Sequence, residues 1–223
     1  MAAHKVKGGF FITFEGPEGC GKSTQSRRLW VFLRKKGFSA VVTREPGGTR
    51  VGETVRKLLL SAKNHFSPIL EVFLYELSRS ELVRQVIRPA LEQGKVVISD
   101  RFSDSTVVYQ GMAGGVDVGF IQRLDRAVCR GIKPDLTFLL DVPVTQGLRR
   151  SLKRKGSLDR MERKSLTFHR RVRSGYLALS RKNKTRFRLI RSGSKQTIQK
   201  QIRHEVMRVL QRHFGPGKAG RVS

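Results

Sequence analysis

The sequence predicts an α/β fold in three layers: a five-stranded parallel sheet, helices on both faces, and a small basic lid. Two observations lead there. Short apolar runs rich in branched and aromatic side chains alternate with segments of helical spacing, and that alternation implies right-handed crossovers and a parallel sheet buried on both sides. The chain has 223 residues, 38% of them hydrophobic, which suits one domain with a core of ordinary size.

The first strand is expected in Gly9-Phe10-Phe11-Ile12-Thr13-Phe14. It leads into Gly16-Pro17-Glu18-Gly19-Cys20-Gly21-Lys22-Ser23, which fits the phosphate-loop pattern G-x-x-x-x-G-K-[ST] at every fixed position. A helix follows, with Leu29, Trp30, Phe32 and Leu33 on one side. In such a strand, turn and helix, successive backbone N–H groups converge and the helix N-terminus adds partial positive charge, so phosphate is held there. The expected ATP-binding set is therefore Gly16, Pro17, Glu18, Gly19, Cys20, Gly21, Lys22, Ser23 and Thr24. Lys22 would reach the β- and γ-phosphates, and the Ser23 hydroxyl would ligate Mg²⁺.

Ala40-Val41-Val42-Thr43 reads as the second strand, and Arg44-Glu45-Pro46-Gly47-Gly48-Thr49 as a loop by its Pro and paired Gly. A short helix is expected next, with Val51, Val55, Leu58 and Leu59 buried and Arg56 facing elsewhere. From Ser67-Pro68 apolar periodicity runs through Ile69, Phe73, Leu77, Leu82, Val86 and Ile87; Pro89 should kink or restart this helix and Gly94 should end it. Lys95 to Asp100 is the third strand, and an Asp at such a strand tip commonly serves Mg²⁺. A helix from about Val118 to Cys129, a strand at Leu136 to Asp141, a fifth strand at Phe187 to Ile190 and a helix near Gln196–Arg212 complete a domain spanning 1–214. A flexible tail, 215–223, is expected beyond it. The phosphate loop, Arg44-Glu45-Pro46, Asp100-Arg101 and Asp141 all fall at carboxyl ends of strands, where α/β sheets bind ligands.

Residues 149–163 are basic, with a glycine in their middle. They read either as a solvated charged hairpin or as a lid that folds over a triphosphate. An arginine supplied by such a lid is worth about 10³–10⁵ in rate.

Lys and Arg number 46 against 17 Asp and Glu, for a net charge of +29. Residues 1–146 hold 22 basic and 14 acidic side chains, whereas 147–223 hold 24 and 3. Such a balance suits polyanions through counterion release. Few aromatics interleave with the C-terminal cations, so no specific nucleic-acid partner is expected, only non-specific adhesion. No apolar run approaches the roughly 18 residues of a membrane span, and the first apolar stretch is the first strand, so it does not read as a signal peptide. Two cysteines, Cys20 and Cys129, make no disulfide framework and fit a reducing cytoplasm; Cys20 reads as a small residue suited to its loop.

In order along about 9–192, several stretches resemble the bacterial thymidylate kinase family of phosphate-loop kinases, which pass phosphate from ATP to dTMP. They are the phosphate loop with Glu15 before it, Thr43-Arg44-Glu45-Pro46-Gly47-Gly48-Thr49, Asp100-Arg101-Phe102-Ser103-Asp104-Ser105, Tyr109-Gln110-Gly111, Pro134-Asp135-Leu136-Thr137 and Leu158-Asp159-Arg160-Met161-Glu162. The resemblance implies ATP as co-substrate with Mg²⁺ on Ser23 and Asp100, and catalysis by Lys22, Arg101 and Arg154, with Lys153 or Arg150 as the alternative lid residue. It further implies dTMP binding by Glu18, Arg44, Arg56, Tyr75, Arg79, Arg101, Thr106 and Tyr109. Glu18 would approach the deoxyribose 3′-hydroxyl side, Arg44, Arg56 and Arg101 the phosphate, Arg79 a thymine carbonyl and Thr106 the base's polar edge. Tyr75 would stack on the base where the family usually has Phe, and Tyr109 would crowd a ribose 2′ position. Phe102 stands where the family usually has Tyr and lacks its hydroxyl. A homodimer through the apolar helix containing Phe73 and Leu74 is also implied.

Overall fold

In the computed structural model, which describes residues 8–191 and 193–215, β1 (Phe10–Glu15), β2 (Ala40–Arg44), β3 (Val96–Asp100), β4 (Leu136–Asp141) and β5 (Phe187–Arg191) form one parallel sheet. Their order is β2-β3-β1-β4-β5. The tail expected beyond Gly215 lies outside the described residues. β1 is central and buried along its whole length. It needs apolar side chains on both faces, and its unbroken run of aromatics and Ile meets that need. Phe10, Ile12 and Phe14 join the core on one face, and Phe11 joins the core on the other. Thr13 bonds Thr137 on β4 at 2.8 Å, which satisfies both buried hydroxyls.

The helices are α1 (Lys22–Lys35), α2 (Arg50–Leu60), α3 (Pro68–Leu82), α4 (Arg88–Glu92), α5 (Ser103–Thr106), α6 (Val118–Cys129), α7 (Val144–Lys155), α8 (Leu166–Lys182) and α9 (Lys195–Phe214). Leu29 and Leu33 of α1 pack with Ile198, Ile202, Val206 and Leu210 of α9 over one face of the sheet. Side chains from α3, α6 and α8 form the core over the other face. Side-chain oxygens of Thr49, Ser67, Ser165 and Ser194 accept amide hydrogens at the starts of α2, α3, α8 and α9, supplying the capping those exposed N–H groups need.

Two helices differ from the expectation. On α2, Val55 and Leu59 are buried, but Val51 and Leu58 are 39% and 45% exposed. On α3, Ile69, Phe73 and Leu77 are 41–50% exposed while Glu71, Glu76, Ser78 and Arg79 are buried. Thus α3 turns a polar face inward, because that face builds an ion-pair network described below. After α3 the helix widens into a π turn, Val83–Ile87, before Pro89 restarts it in α4. Proline cannot donate to the preceding turn, and the wider turn carries the chain past it. A second π turn, Val107–Met112, follows α5. Helix α8, and α7 ahead of the basic run, are elements the sequence pattern left unassigned.

Helix α7 rests on the phosphate loop with no side chain between them. A Cβ on Gly147 would lie 2.2 Å from the Glu18 carbonyl oxygen, and one on Gly19 would lie 1.9 Å from that of Gly147. Both positions therefore require glycine. Gly147→Ala is expected to lower stability by about 1–3 kcal/mol, read as the urea unfolding midpoint; an unchanged midpoint would contradict this contact.

Candidate active site

A cleft of about 460 Å³ opens at the carboxyl ends of the strands. At one end lie Glu18, Gly19, Gly21, Lys22 and Ser23 of the phosphate loop, and at the other Arg44, Arg56, Tyr75, Arg79, Thr106 and Tyr109; Asp100, Arg101 and Arg154 also line it. Gly16, Pro17, Cys20 and Thr24 do not. Gly16 and Pro17 instead present carbonyls to the Lys22 ammonium at 2.9 and 2.8 Å. Cys20 is buried with a thiol pushed up by that burial, and Cys129, also buried, is pushed up further. The Ser23 hydroxyl donates to the Asp100 carboxylate, which joins the start of α1 to the tip of β3. Of the three lid candidates, Arg154 lines the cleft, whereas Arg150 and Lys153 do not.

Arg101 adopts a left-handed backbone, φ 74°, which is costly for a side chain larger than glycine. Its N–H donates to the Phe14 carbonyl at 3.0 Å and its carbonyl accepts from Ser99 at 2.7 Å, which hold it there. The guanidinium then points back under the loop. One nitrogen donates to the Gly16 carbonyl, Ser105 and Tyr176 at 3.1–3.2 Å, and the other to Glu18 and Tyr109 at 2.9 and 3.1 Å. Tyr109 also donates to Glu18 at 2.7 Å. Burial alone would raise the Glu18 pKa; Arg101, then Lys22 and the Tyr109 hydroxyl, outweigh it and hold the carboxyl at about 2.

Beneath this cluster Glu15 accepts from the Phe102 amide at 2.8 Å, Ser105 at 2.7 Å and Tyr176 at 2.8 Å. Burial, reinforced by Asp104, raises it to about 7 against the opposing pull of Arg101. Arg79 is almost wholly buried and all five of its N–H groups are engaged. Nε and Nη2 both donate to Glu45, Nη2 also to Thr106 at 2.9 Å, and Nη1 to Glu76 and to Asp125 at 3.4 Å. The Phe102 ring lies in the core against Phe11 and beneath Arg79 rather than in the cleft, so its missing hydroxyl leaves no gap in the lining. Arg56 donates to the Pro46 carbonyl at 2.9 Å, and Arg44 makes a paired contact with Glu53 at 3.0 Å. Asp141, grouped with the site by its strand-end position, instead pairs with Arg173 of α8 at 2.6 Å.

Sequence reasoning missed two contributors. Tyr176 reaches Glu15, Ser105 and Arg101 from α8; Phe168, Val172, Tyr176 and Leu179 stand at helical spacing, which was the available signal. Gln110 lines the cleft beside Tyr109 because both sit in the second π turn, where the chain departs from ordinary helical spacing. Gln110 donates to buried Glu71 at 2.8 Å, and Glu71 also accepts from Arg160 at 2.5 Å. These bonds tie α3 to the segment after α7.

A family model described as thymidylate kinase matches residues 14–202. The chain is 47% identical to a thymidylate kinase of Deinococcus radiodurans over 179 residues, 80% of this chain and 86% of that one. It is 49% identical over 187 residues to one from Desulfosudis oleivorans, covering 81% and 87% of the two chains. A third, from Gloeobacter violaceus, is 46% identical over 198 residues, 88% of this chain and 93% of its own. Among solved structures, a thymidylate kinase from Ehrlichia chaffeensis superposes with a TM-score of 0.71 at 35% identity, covering 92% of this chain and 99% of that one.

The raised Glu15 pKa gives a pH dependence of defined sign. The folded state keeps this proton up to about pH 7, whereas an ordinary glutamate releases it near 4.5. The stability contributed by the neutral carboxyl is thus complete below 4.5 and lost as pH rises through about 7. Denaturant unfolding at about pH 5 and about pH 8 should show the wild type losing up to about 3 kcal/mol more than Glu15→Gln across that interval. Equal losses in both proteins would rule the assignment out.

Proposed function

The chain belongs to the thymidylate kinase family, and from that membership we propose that it transfers the γ-phosphate of ATP to dTMP, giving dTDP and ADP. The observation that carries this reading is one cleft with two ends. The phosphate loop and the Ser23–Asp100 pair form one end, the side chains suited to a nucleoside monophosphate form the other, and Arg101 is anchored to the loop between them.

The chemistry needs alignment and neutralisation of charge more than covalent participation. The loop amides hold the triphosphate, and Lys22 exchanges the Gly16 and Pro17 carbonyls for phosphate oxygens. Arg101 and Arg56 steady the dTMP phosphate, with Arg44 at the cleft wall beside them. Arg154, exposed at the rim, swings in as the lid 149–163 closes and meets the charge that spreads during transfer. The acceptor phosphate is already an anion, so no general base is required. Mg²⁺ fits the Ser23–Asp100 pair, since a hydroxyl and a carboxylate are the hard oxygen donors it prefers; when bound it would draw charge from the β- and γ-phosphate oxygens.

At the other end Tyr75 offers its ring to the base. Thr106 and Arg79 face the base's polar edge, and a thymine carbonyl would take one of the Arg79 N–H groups now given to Thr106 or Asp125. Tyr109, fixed by Glu18, crowds a ribose 2′-hydroxyl. Residues 1–214 form the kinase domain. A homodimer is proposed through Ile69, Leu70, Phe73 and Leu77, an exposed apolar patch that continues to Phe120 through a ring contact of 6.1 Å. A cytoplasmic setting is proposed from the two free cysteines. No helix among the described residues is long and apolar enough to cross a membrane.

A panel of nucleoside monophosphates in an ADP-release assay should give turnover with dTMP well above the rest; comparable turnover with every monophosphate, or none with dTMP, refutes the substrate. Lys22→Ala is expected to cut kcat by about 10²–10⁴ with the fold intact by circular dichroism. Arg154→Ala should depress kcat by about 10³ or more while leaving KM for dTMP nearly unchanged. If Arg150→Ala does so instead, the lid register is misplaced. Phe73→Asp should halve the mass seen by light scattering, and an unchanged mass would exclude this dimer face.

A further inference from the structure

On the sheet face covered by α1 and α9, a groove of about 750 Å³ runs between the two helices, and none of its lining residues lines the nucleotide cleft. Its cations come from both walls, Arg28 and Lys36 on α1 and Lys200, Arg203 and Arg208 on α9, and no acidic residue lines it. Glu205, next on α9, is already occupied by Arg188 and Arg208 at 3.2 and 2.9 Å. The floor includes Phe32 and Met207, and the Arg203 guanidinium stacks over the Phe32 ring at 4.6 Å. Gln199 is 3% exposed, and neither its amide nitrogen nor its amide oxygen has a hydrogen-bond partner. An unpartnered buried amide costs free energy, and here it lies in the wall of a cationic groove.

We propose that this groove binds single-stranded nucleic acid without sequence preference, phosphates on Arg28, Lys36 and Lys200 and a base against Arg203, Met207 and the Gln199 amide. Length favours a chain of phosphates over a single one. From Gln196 to Gln211 the α9 wall spans about 22 Å at 1.5 Å per residue, and an isolated phosphate would use only one of the cation positions. The apolar floor favours nucleic acid over an acidic peptide, because a stacked Arg and aromatic ring accept a flat base. The amide of Gln199 supplies one donor and one acceptor, the pair that a base edge offers in return.

The test is fluorescence anisotropy of a labelled oligoadenylate titrated with the full chain across a salt series. Binding should weaken with salt, and Lys200→Glu with Arg203→Glu should reduce affinity about tenfold or more while lowering the salt slope by about 1.4. Phosphoryl transfer to dTMP by that variant should be unchanged. Arg181→Glu with Lys182→Glu, an equal charge change on exposed α8 positions, should leave most of the affinity. Gln199→Leu keeps the charge and should still weaken binding about fivefold. No binding by the wild type, equal loss in the α8 control, or no effect of Gln199→Leu would overturn the proposal. So would displacement by polyglutamate as effective as by unlabelled oligonucleotide, which would mark an acidic protein as the occupant. Tighter binding of a duplex than of the single strand would overturn it too.

Discussion

One buried guanidinium holds the nucleotide end of this molecule together. Arg101 binds the phosphate loop through Gly16 and Glu18, the start of the helix after β3 through Ser105, the π turn through Tyr109 and α8 through Tyr176. These segments are far apart in sequence and share no continuous hydrophobic seam. A cation removed from water is tolerated only when its donors are matched by acceptors and opposite charge, and here the acceptors are the parts of the cleft that must be kept in register. Glu15 completes the arrangement from below. It stays close to neutral in order to accept three hydrogen bonds without adding a second full negative charge beside Asp104.

Much of the fold was legible because the strands are buried on both faces. β1 needs hydrophobic residues at nearly every position, so it reads as an unbroken run, and the glycine and lysine pattern after it reports the backbone that phosphate requires. β3 and β4 are readable for the same reason, and their terminal Asp residues mark the edge where ligands gather. The helices over the second face were harder. Helix α3 has its apolar side outward and Glu71, Glu76, Ser78 and Arg79 inward, so amphipathic reasoning reverses its orientation. The reversal is physical: an inward face that pairs Arg79 with Glu45, Glu76 and Asp125 cannot also be greasy.

The site divides in the same way. Residues in the phosphate loop or at strand ends were readable from position alone. Residues placed by irregular backbone were not. Tyr109 and Gln110 share the cleft through a π turn that ordinary helical periodicity cannot register, and Tyr176 depends on a helix whose stripe of Phe168, Val172, Tyr176 and Leu179 is diluted by arginines. Phe102 shows the opposite error. Viewed as a residue of the site, it lacks a hydroxyl; viewed in the core, against Phe11 and under the Arg79 plane, it is simply the ring that packs there.

The two cysteines carry a practical corollary. Cys20 is 4% exposed and Cys129 2%, and burial raises the pKa of both thiols, so neither offers a thiolate to an electrophile. The whole chain contains no others. A dye attached through Lys153→Cys, on the exposed side of the lid helix, therefore needs no cysteine-free background. The opening and shutting of that segment becomes visible as a change in emission from an otherwise native enzyme.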